Sequence, residues 1–168
     1  MKALITAGAV LAIAGAASAT DFTLPDSTLA GGESVSVAIT LPVDATGFSI
    51  GFDYDEPVAD ASWASDVQFI ISDAGGAVYT VGGFTNAGDA DMGWAFDGSG
   101  STNPGFYSDS FTVAIPAGDY TLTFVNDWAT DPNPNVYSNI AGSFDKIPTP
   151  GAAGLLGLAG LAAVRRRR

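Results

Sequence analysis

The sequence predicts an all-β fold, an antiparallel, jelly-roll-like β-sandwich of about eight strands that occupies residues 20–146. Apolar and polar residues alternate with a period of two in several runs, which is typical of half-buried strands. Clusters of Gly, Pro, Asn and Asp separate these runs at the short intervals seen in β-sandwiches. No part of 20–146 has the 3.6-residue period of an amphipathic helix. The two ends differ: the sequence predicts a signal peptide over 1–19 and a short apolar helix within 147–168.

The clearest alternation is in 34–41, where Val35, Val37 and Ile39 fall on one side of the predicted strand and small polar residues fall on the other. Residues 20–33 and 97–107 are rich in turn formers, so we expect loops there. The segment 92–96 is expected to be a short strand whose aromatic residues cap the core. The full set of predicted strands is 34–41, 47–54, 67–71, 77–81, 92–96, 111–115, 120–124 and 136–144.

Four short pieces of this domain resemble the P-domain and related pre-peptidase jelly rolls of secreted bacterial proteases. They are Ser65-Asp66 at the start of a strand, the turn Gly75-Gly76, Trp94-Ala95-Phe96, and Gly118-Asp119-Tyr120-Thr121-Leu122. The resemblance extends over about sixty residues, and it favours a jelly roll over an immunoglobulin-like sandwich.

The N-terminus has the organisation of a secretory signal. Lys2 precedes an apolar run over 3–17, and Ala17-Ser18-Ala19 is a small-residue cleavage site. Cleavage after Ala19 would make Thr20 the mature N-terminus. We therefore expect the Sec translocon and signal peptidase as partners, the alternative being an uncleaved membrane anchor.

The C-terminus combines three features in a fixed order. Pro148-Thr149-Pro150 is followed by fourteen residues that are only Gly, Ala, Leu or Val, and then by four arginines: Arg165, Arg166, Arg167 and Arg168. An apolar run closed by cations is a membrane-stop arrangement. A helix of fourteen residues is only about 21 Å long, against a hydrocarbon core of ~30 Å. This length favours a processing signal over a permanent anchor. The four terminal arginines and the lack of a polar face argue against the alternative, the last helix of a soluble fold.

The same three features resemble the PEP-CTERM group of bacterial C-terminal sorting signals, with Thr149 where that family usually has Glu. The resemblance implies a protein that is exported, recognised in the inner membrane by an exosortase-type enzyme, cleaved near the motif and displayed on the cell surface or in the extracellular matrix.

The charge of the predicted domain is one-sided. All eighteen acidic residues lie within 21–145, and residues 20–145 contain no Lys, Arg or His. A basic surface for nucleic acid or anionic lipid is therefore excluded. Without Cys, His or Lys there is no Ser-His pair, no thiolate and no Schiff-base lysine. A pair of carboxylates could still hydrolyse a glycosidic bond, but among eighteen carboxylates chance pairs are expected and none is singled out by the sequence. We expect a protein that is not an enzyme.

Two groups of carboxylates are candidate calcium sites, because hard cations prefer clustered oxygen ligands. The first group is Asp53, Asp55, Glu56 and Asp60, and the second is Asp89, Asp91 and Asp97. Neither has the spacing of an EF-hand loop. The alternative is that these residues form turns and solvated surface, as Asp often does.

Four aromatic residues lie in or near predicted loops: Trp63, Trp94, Trp128 and Tyr137. Sugar rings stack on exposed aromatic faces, whereas a sandwich without disulfides needs large aromatic side chains in its core. We expect Trp94 in the core and consider Trp63 and Trp128 as a candidate ligand platform.

Two hypotheses follow for the exported protein. In the first it is a non-catalytic structural or adhesive protein of the surface or matrix, with calcium as the one candidate cofactor. In the second it is a carbohydrate-binding module whose loop aromatics contact extracellular polysaccharide.

Overall fold

Nine β-strands form two antiparallel sheets in the computed structural model, which describes residues 19–57, 62–84, 90–96, 103–130 and 133–146. The strands are β1 (Thr20–Thr23), β2 (Ser27–Leu29), β3 (Ser34–Leu41), β4 (Ala45–Asp55), β5 (Val67–Asp73), β6 (Gly76–Gly82), β7 (Gly105–Phe111), β8 (Gly118–Asn126) and β9 (Asn135–Lys146). A single 3-10 turn, Ala64–Asp66, precedes β5. Predicted site residues outside the described ranges are Ala17, Asp60, Asp89, Asp97, Pro148, Thr149, Pro150, Arg165, Arg166, Arg167 and Arg168.

The strand order confirms the predicted jelly-roll-like sandwich. One sheet has the order β1-β9-β4-β7, with β2 also paired to β9, and the other has the order β3-β8-β5-β6. Because β1 and β2 pair with different parts of β9, they act as two halves of one interrupted strand. Counted in this way, the eight strands of the domain divide into two four-stranded antiparallel sheets, as in a jelly roll.

The core between the sheets contains the residues that the alternation predicts. In β4, Phe48, Ile50, Phe52 and Tyr54 are at most 2% exposed. The Phe52 ring contacts the rings of Trp94, Phe96, Tyr107, Phe124 and Tyr137, with centroids 5.0–6.3 Å apart. Since the chain has no cysteine, this packing stabilises the sandwich without disulfides.

The predicted strand over 92–96 is wrong. Only Met92 joins a ladder, through one parallel bridge to Val81. Beyond it the chain turns at Ala95 and Phe96. Trp94 is buried, and its indole Nε1 donates to the carbonyl of Val67 at 2.8 Å. The expectation that the aromatic residues of this segment cap the core is nevertheless confirmed.

The predicted strand over 111–115 is displaced along the chain. The strand is β7, which begins at Gly105 inside the predicted loop 97–107 and ends at Phe111. After it only Ile115 forms a bridge, to Ala45. The loop predicted over 20–33 is also partly wrong, because β1 and β2 complete the sheet along β9 there.

Candidate functional site

The outer face of the β1-β9-β4-β7 sheet is built from small and acidic residues. Side chains alternate between the two sides of a strand, so the neighbours of the buried residues point outward. The pairing places two rows across all four strands, Asp21-Ser143-Ser49-Ser110 and Thr23-Ala141-Gly51-Ser108. Such side chains leave a low surface on which a larger residue stands out.

Phe106 is that larger residue. It lies on β7 directly opposite Asp53 of β4, and it is 65% exposed. Its ring extends over Gly51: a Cβ added at Gly51 would be 2.7 Å from Phe106 Cζ and 3.1 Å from Ser108 Cβ. The ring can lie this low on the sheet because Gly51 has no side chain.

An open groove runs beside the ring, with a volume of about 340 Å³. We call it the Phe106 groove. The groove is lined by the Phe106 ring, by Gly51, by the side chains of Ser49, Ser108, Ser110 and Asn139, and also by Ile50, Asp109 and Ala141. Both carboxylate oxygens of Asp109 accept from main-chain N–H groups, those of Ala95 and Ser110. The groove therefore combines one apolar aromatic face with groups that both donate and accept hydrogen bonds.

A β-bulge aims Asn139 at this groove. Between Gly51 and Asp53 of β4 the paired residues of β9 are Ala141 and Ser138, so β9 has one residue more than its partner. Asn139 takes a positive φ of 51°, a conformation that Asn adopts more readily than most residues. Its main-chain N–H donates to Asp26 Oδ1 at 2.8 Å, and its side-chain Nδ2 donates to Asp53 Oδ2 at 2.7 Å. These bonds fix the amide beside the exposed ring.

A larger groove of about 430 Å³ lies on the other sheet. In this groove Thr40 Oγ1 donates to Asp119 Oδ1 at 2.6 Å, and the Tyr120 hydroxyl donates to the carbonyl of Pro116 at 2.8 Å. Its one aromatic lining residue, Tyr120, is only 7% exposed. This groove has no aromatic face to offer a ligand.

The loop aromatics lie at one end of the sandwich. Because neighbouring strands are antiparallel, the β4–β5, β6–β7 and β8–β9 connections all emerge there. Half-buried Trp128 lies beside Phe84, with ring centroids 5.5 Å apart, and Phe84 is 52% exposed. Trp63 is also half-buried, and its main-chain N–H donates to Asp66 Oδ2 at 2.8 Å before the 3-10 turn. The contact between Phe84 and Trp128 was not predicted from the sequence, because alternation within a segment does not show which loops lie together.

The other two loop aromatics belong to the core. Trp94 is 4% exposed and Tyr137 is completely buried. The expectation for Trp94 is thus confirmed, and Tyr137 is not available to a ligand.

The described carboxylates of the two candidate calcium groups have separate partners. Asp53 accepts from Asn139, and Glu56 Oε1 accepts from the main-chain N–H of Ser62 at 3.3 Å. Asp91 Oδ2 accepts from the main-chain N–H of Thr80 at 2.8 Å, and Asp55 is exposed at the end of β4. Within the described ranges, no three His, Cys, Asp or Glu residues come together as a metal site. Calcium binding stays a prediction, because it also involves Asp60, Asp89 and Asp97.

No family model matches this sequence, and no curated protein matches it. Two solved structures are similar at low identity. The isomalto-dextranase of Arthrobacter globiformis T6, complexed with panose, has a TM-score of 0.36 and 16% identity over 71% of this chain, which spans 18% of the dextranase chain. The C-terminal CBM6 of LamC, a marine laminarinase from Zobellia galactanivorans, has a TM-score of 0.35 and 14% identity over 74% of this chain and 90% of that module. At TM-scores below 0.5, these similarities say nothing about the ligand or the activity of this protein.

Among the residues that the structure describes, none forms a helix with the length and apolar character needed to cross a bilayer.

Proposed function

We propose that this protein is an exported, non-catalytic carbohydrate-binding module that attaches to extracellular polysaccharide at the cell surface or in the matrix. The observation that carries the proposal is the Phe106 groove, in which a 65% exposed ring lies on a glycine floor among serine and asparagine side chains. The adhesive role expected from the sequence would then depend on the Phe106 groove.

The chemistry of the groove is suited to a sugar ring. A pyranose has an apolar face of C–H groups and a rim of hydroxyl groups. The Phe106 ring matches the apolar face, while serine hydroxyls and the Asn139 amide can each donate and accept at the rim. All these residues are on β4, β7 and β9, and sites on strands are held more firmly than sites on loops. The groove is open, so a chain could continue beyond the ring in contact.

A structural role for Phe106 is the competing explanation, because the ring covers the main chain of Gly51. Variants of the unit Ala19–Ile147, which contains all the described strands and their core, separate the two explanations. We expect Phe106→Ala to lower retention on neutral polysaccharide gels by about tenfold or more, as for a binding hot spot, with the far-UV circular dichroism unchanged.

Phe84→Ala is the matched control, since Phe84 is the other exposed phenylalanine of the described residues and lies in a loop at the end of the sandwich. Retention should be unchanged in this variant. If Phe84→Ala abolished retention and Phe106→Ala did not, the site would be the Phe84-Trp128 pair and the groove would be rejected.

Export and sorting are part of the same proposal. The support is the signal-like segment that ends at Ala19, and the motif Pro148-Thr149-Pro150 with its apolar run and terminal arginines. Fractionation of producing cells and mass measurement of both termini test it: we expect Thr20 at the N-terminus and the loss of the segment after the motif. A surface protein that still ends in Arg168 would contradict sorting by cleavage.

A further inference from the structure

We infer that the Phe106 groove selects glycans that carry protonated amines, as in a partly deacetylated amino-sugar polymer, an inference that rests on the proposed carbohydrate binding. The geometry points to this class because the exposed ring and a carboxylate are direct neighbours on the same face. Phe106 and Asp53 are paired across β7 and β4, so their Cβ atoms are about 5 Å apart.

The carboxylate of Asp53 is held in a defined position. Asn139 Nδ2 donates to its Oδ2 at 2.7 Å, and Asn139 itself lines the groove. A carboxylate can accept several hydrogen bonds through its two oxygens, so Asp53 can accept from a ligand ammonium without releasing Asn139. An ammonium group in this place would also lie near the face of the Phe106 ring, where a cation is attracted.

No lysine, arginine or histidine side chain within residues 20–145 competes for this carboxylate, because that range contains none. The same outer face carries Asp21 of β1 and Asp145 of β9, and Asp145 Oδ2 lies over Gly47, 3.3 Å from the position of an added Cβ. Lys146 is paired with Ala45, on the side of the sheet that alternates inward. The face therefore repels polyanionic glycans and attracts cationic ones.

Two ligands that differ only in their amine groups test this selectivity. The glucosamine hexamer and the N-acetylglucosamine hexamer have the same backbone, and only the first is cationic at mildly acidic pH. In calorimetric titrations of the unit Ala19–Ile147 at physiological ionic strength, we expect the glucosamine hexamer to bind about twofold to fivefold more tightly, the range of one exposed charge pair.

Three variants test whether the charge of Asp53 causes the preference for the amine. Asp53→Asn keeps an oxygen that can accept from Asn139, and it should remove most of the preference for the amine. Asp119→Asn removes the same charge from the outer face of the other sheet, where Thr40 can still donate to the amide oxygen, and the preference should remain. Phe106→Ala should weaken the binding of both hexamers.

The outcomes distinguish this inference from the function on which it rests. Equal affinity for the two hexamers, with both lost in Phe106→Ala, would overturn the amine selectivity and leave carbohydrate binding in place. An equal effect of Asp53→Asn and Asp119→Asn would also overturn it, because the attraction would then be general to the acidic domain. If neither hexamer nor any neutral polysaccharide bound, the proposed function itself would fail.

Discussion

The substitution Gly51→Ala tests the candidate site without removing any of its side chains. An alanine Cβ would be 2.7 Å from Phe106 Cζ and 3.1 Å from Ser108 Cβ, whereas carbon atoms in ordinary contact are about 3.5–4.0 Å apart. The Phe106 ring must therefore rise by about 1 Å. Since Phe106 is 65% exposed, its ring has room to move, and it would then no longer lie over residue 51 beside the groove.

The effect on stability should be small or favourable. Gly51 does not have a positive φ, so alanine can adopt its backbone conformation. Glycine within a strand costs roughly 0.5–1 kcal/mol relative to alanine, and this gain offsets the small shift required at Ser108. We expect the free energy of unfolding to change by less than about 1 kcal/mol, while glycan affinity falls by about fivefold to tenfold, less than in Phe106→Ala.

Urea unfolding and affinity electrophoresis on the same samples measure the two quantities. Gly105→Ala is the control, because it is the same substitution in β7, next to Phe106, and an added Cβ there meets nothing within 4 Å. It should leave affinity unchanged. A Gly51→Ala protein that binds with wild-type affinity would refute the argument that the low position of the ring creates the binding face.

Three further predictions concern the sandwich itself. Trp94→Phe removes the hydrogen bond from Nε1 to the buried carbonyl of Val67. The free energy of unfolding, measured in urea, should fall by about 1–3 kcal/mol, and glycan affinity should not change. A loss of affinity in the folded variant would contradict a purely structural role for Trp94. Burial, followed by the charges of Asp73 and Asp44, raises the pKa of Tyr120 above its ordinary value of 10.0. The neutral phenol is thus favoured in the folded state, so the stability that this shift contributes is fully present below about pH 10 and is lost above it. Urea unfolding should show a fall in stability above about pH 10 that is shallower in Tyr120→Phe. Finally, added NaCl should raise the melting temperature, because residues 20–145 contain only negative charges whose repulsion salt screens; a decrease would contradict this.

The sequence predicted the strands in which one side is clearly apolar. In β3, β4, β5 and β8 the large residues recur at every second position; the structure buries that side in β4, β5 and β8 and half-buries most of it in β3. The pattern is weaker in β9, yet this strand is the longest and pairs with β1, β2 and β4. Its importance comes from its partners, which alternation within one segment does not reveal.

Short strands were missed for a related reason. β1 and β2 have four and three residues, and Leu24-Pro25-Asp26 interrupts them, so the local signal is that of a turn. They are strands because β9 is long enough to pair with both. The segment 92–96 is the opposite case: it alternates like a strand, but the chain turns at Ala95 and Phe96, and the side chain of Trp94 is buried with a hydrogen bond to the carbonyl of Val67.

The candidate site could not be predicted from the sequence, because β7 has no distinct apolar side. Its residues, GFYSDSF, place Phe106 with Ser108 and Ser110 on one side, and Tyr107 with Phe111 on the other. Either side could face the core by composition alone. Pairing with β4 decides the matter, since it places Tyr107 opposite buried Phe52 and Phe111 opposite buried Phe48. Phe106 is then placed on the outer face, above a glycine that leaves room for its ring and opposite the carboxylate of Asp53. An aromatic residue so placed contributes little to the core, and this is why we assign it to a ligand.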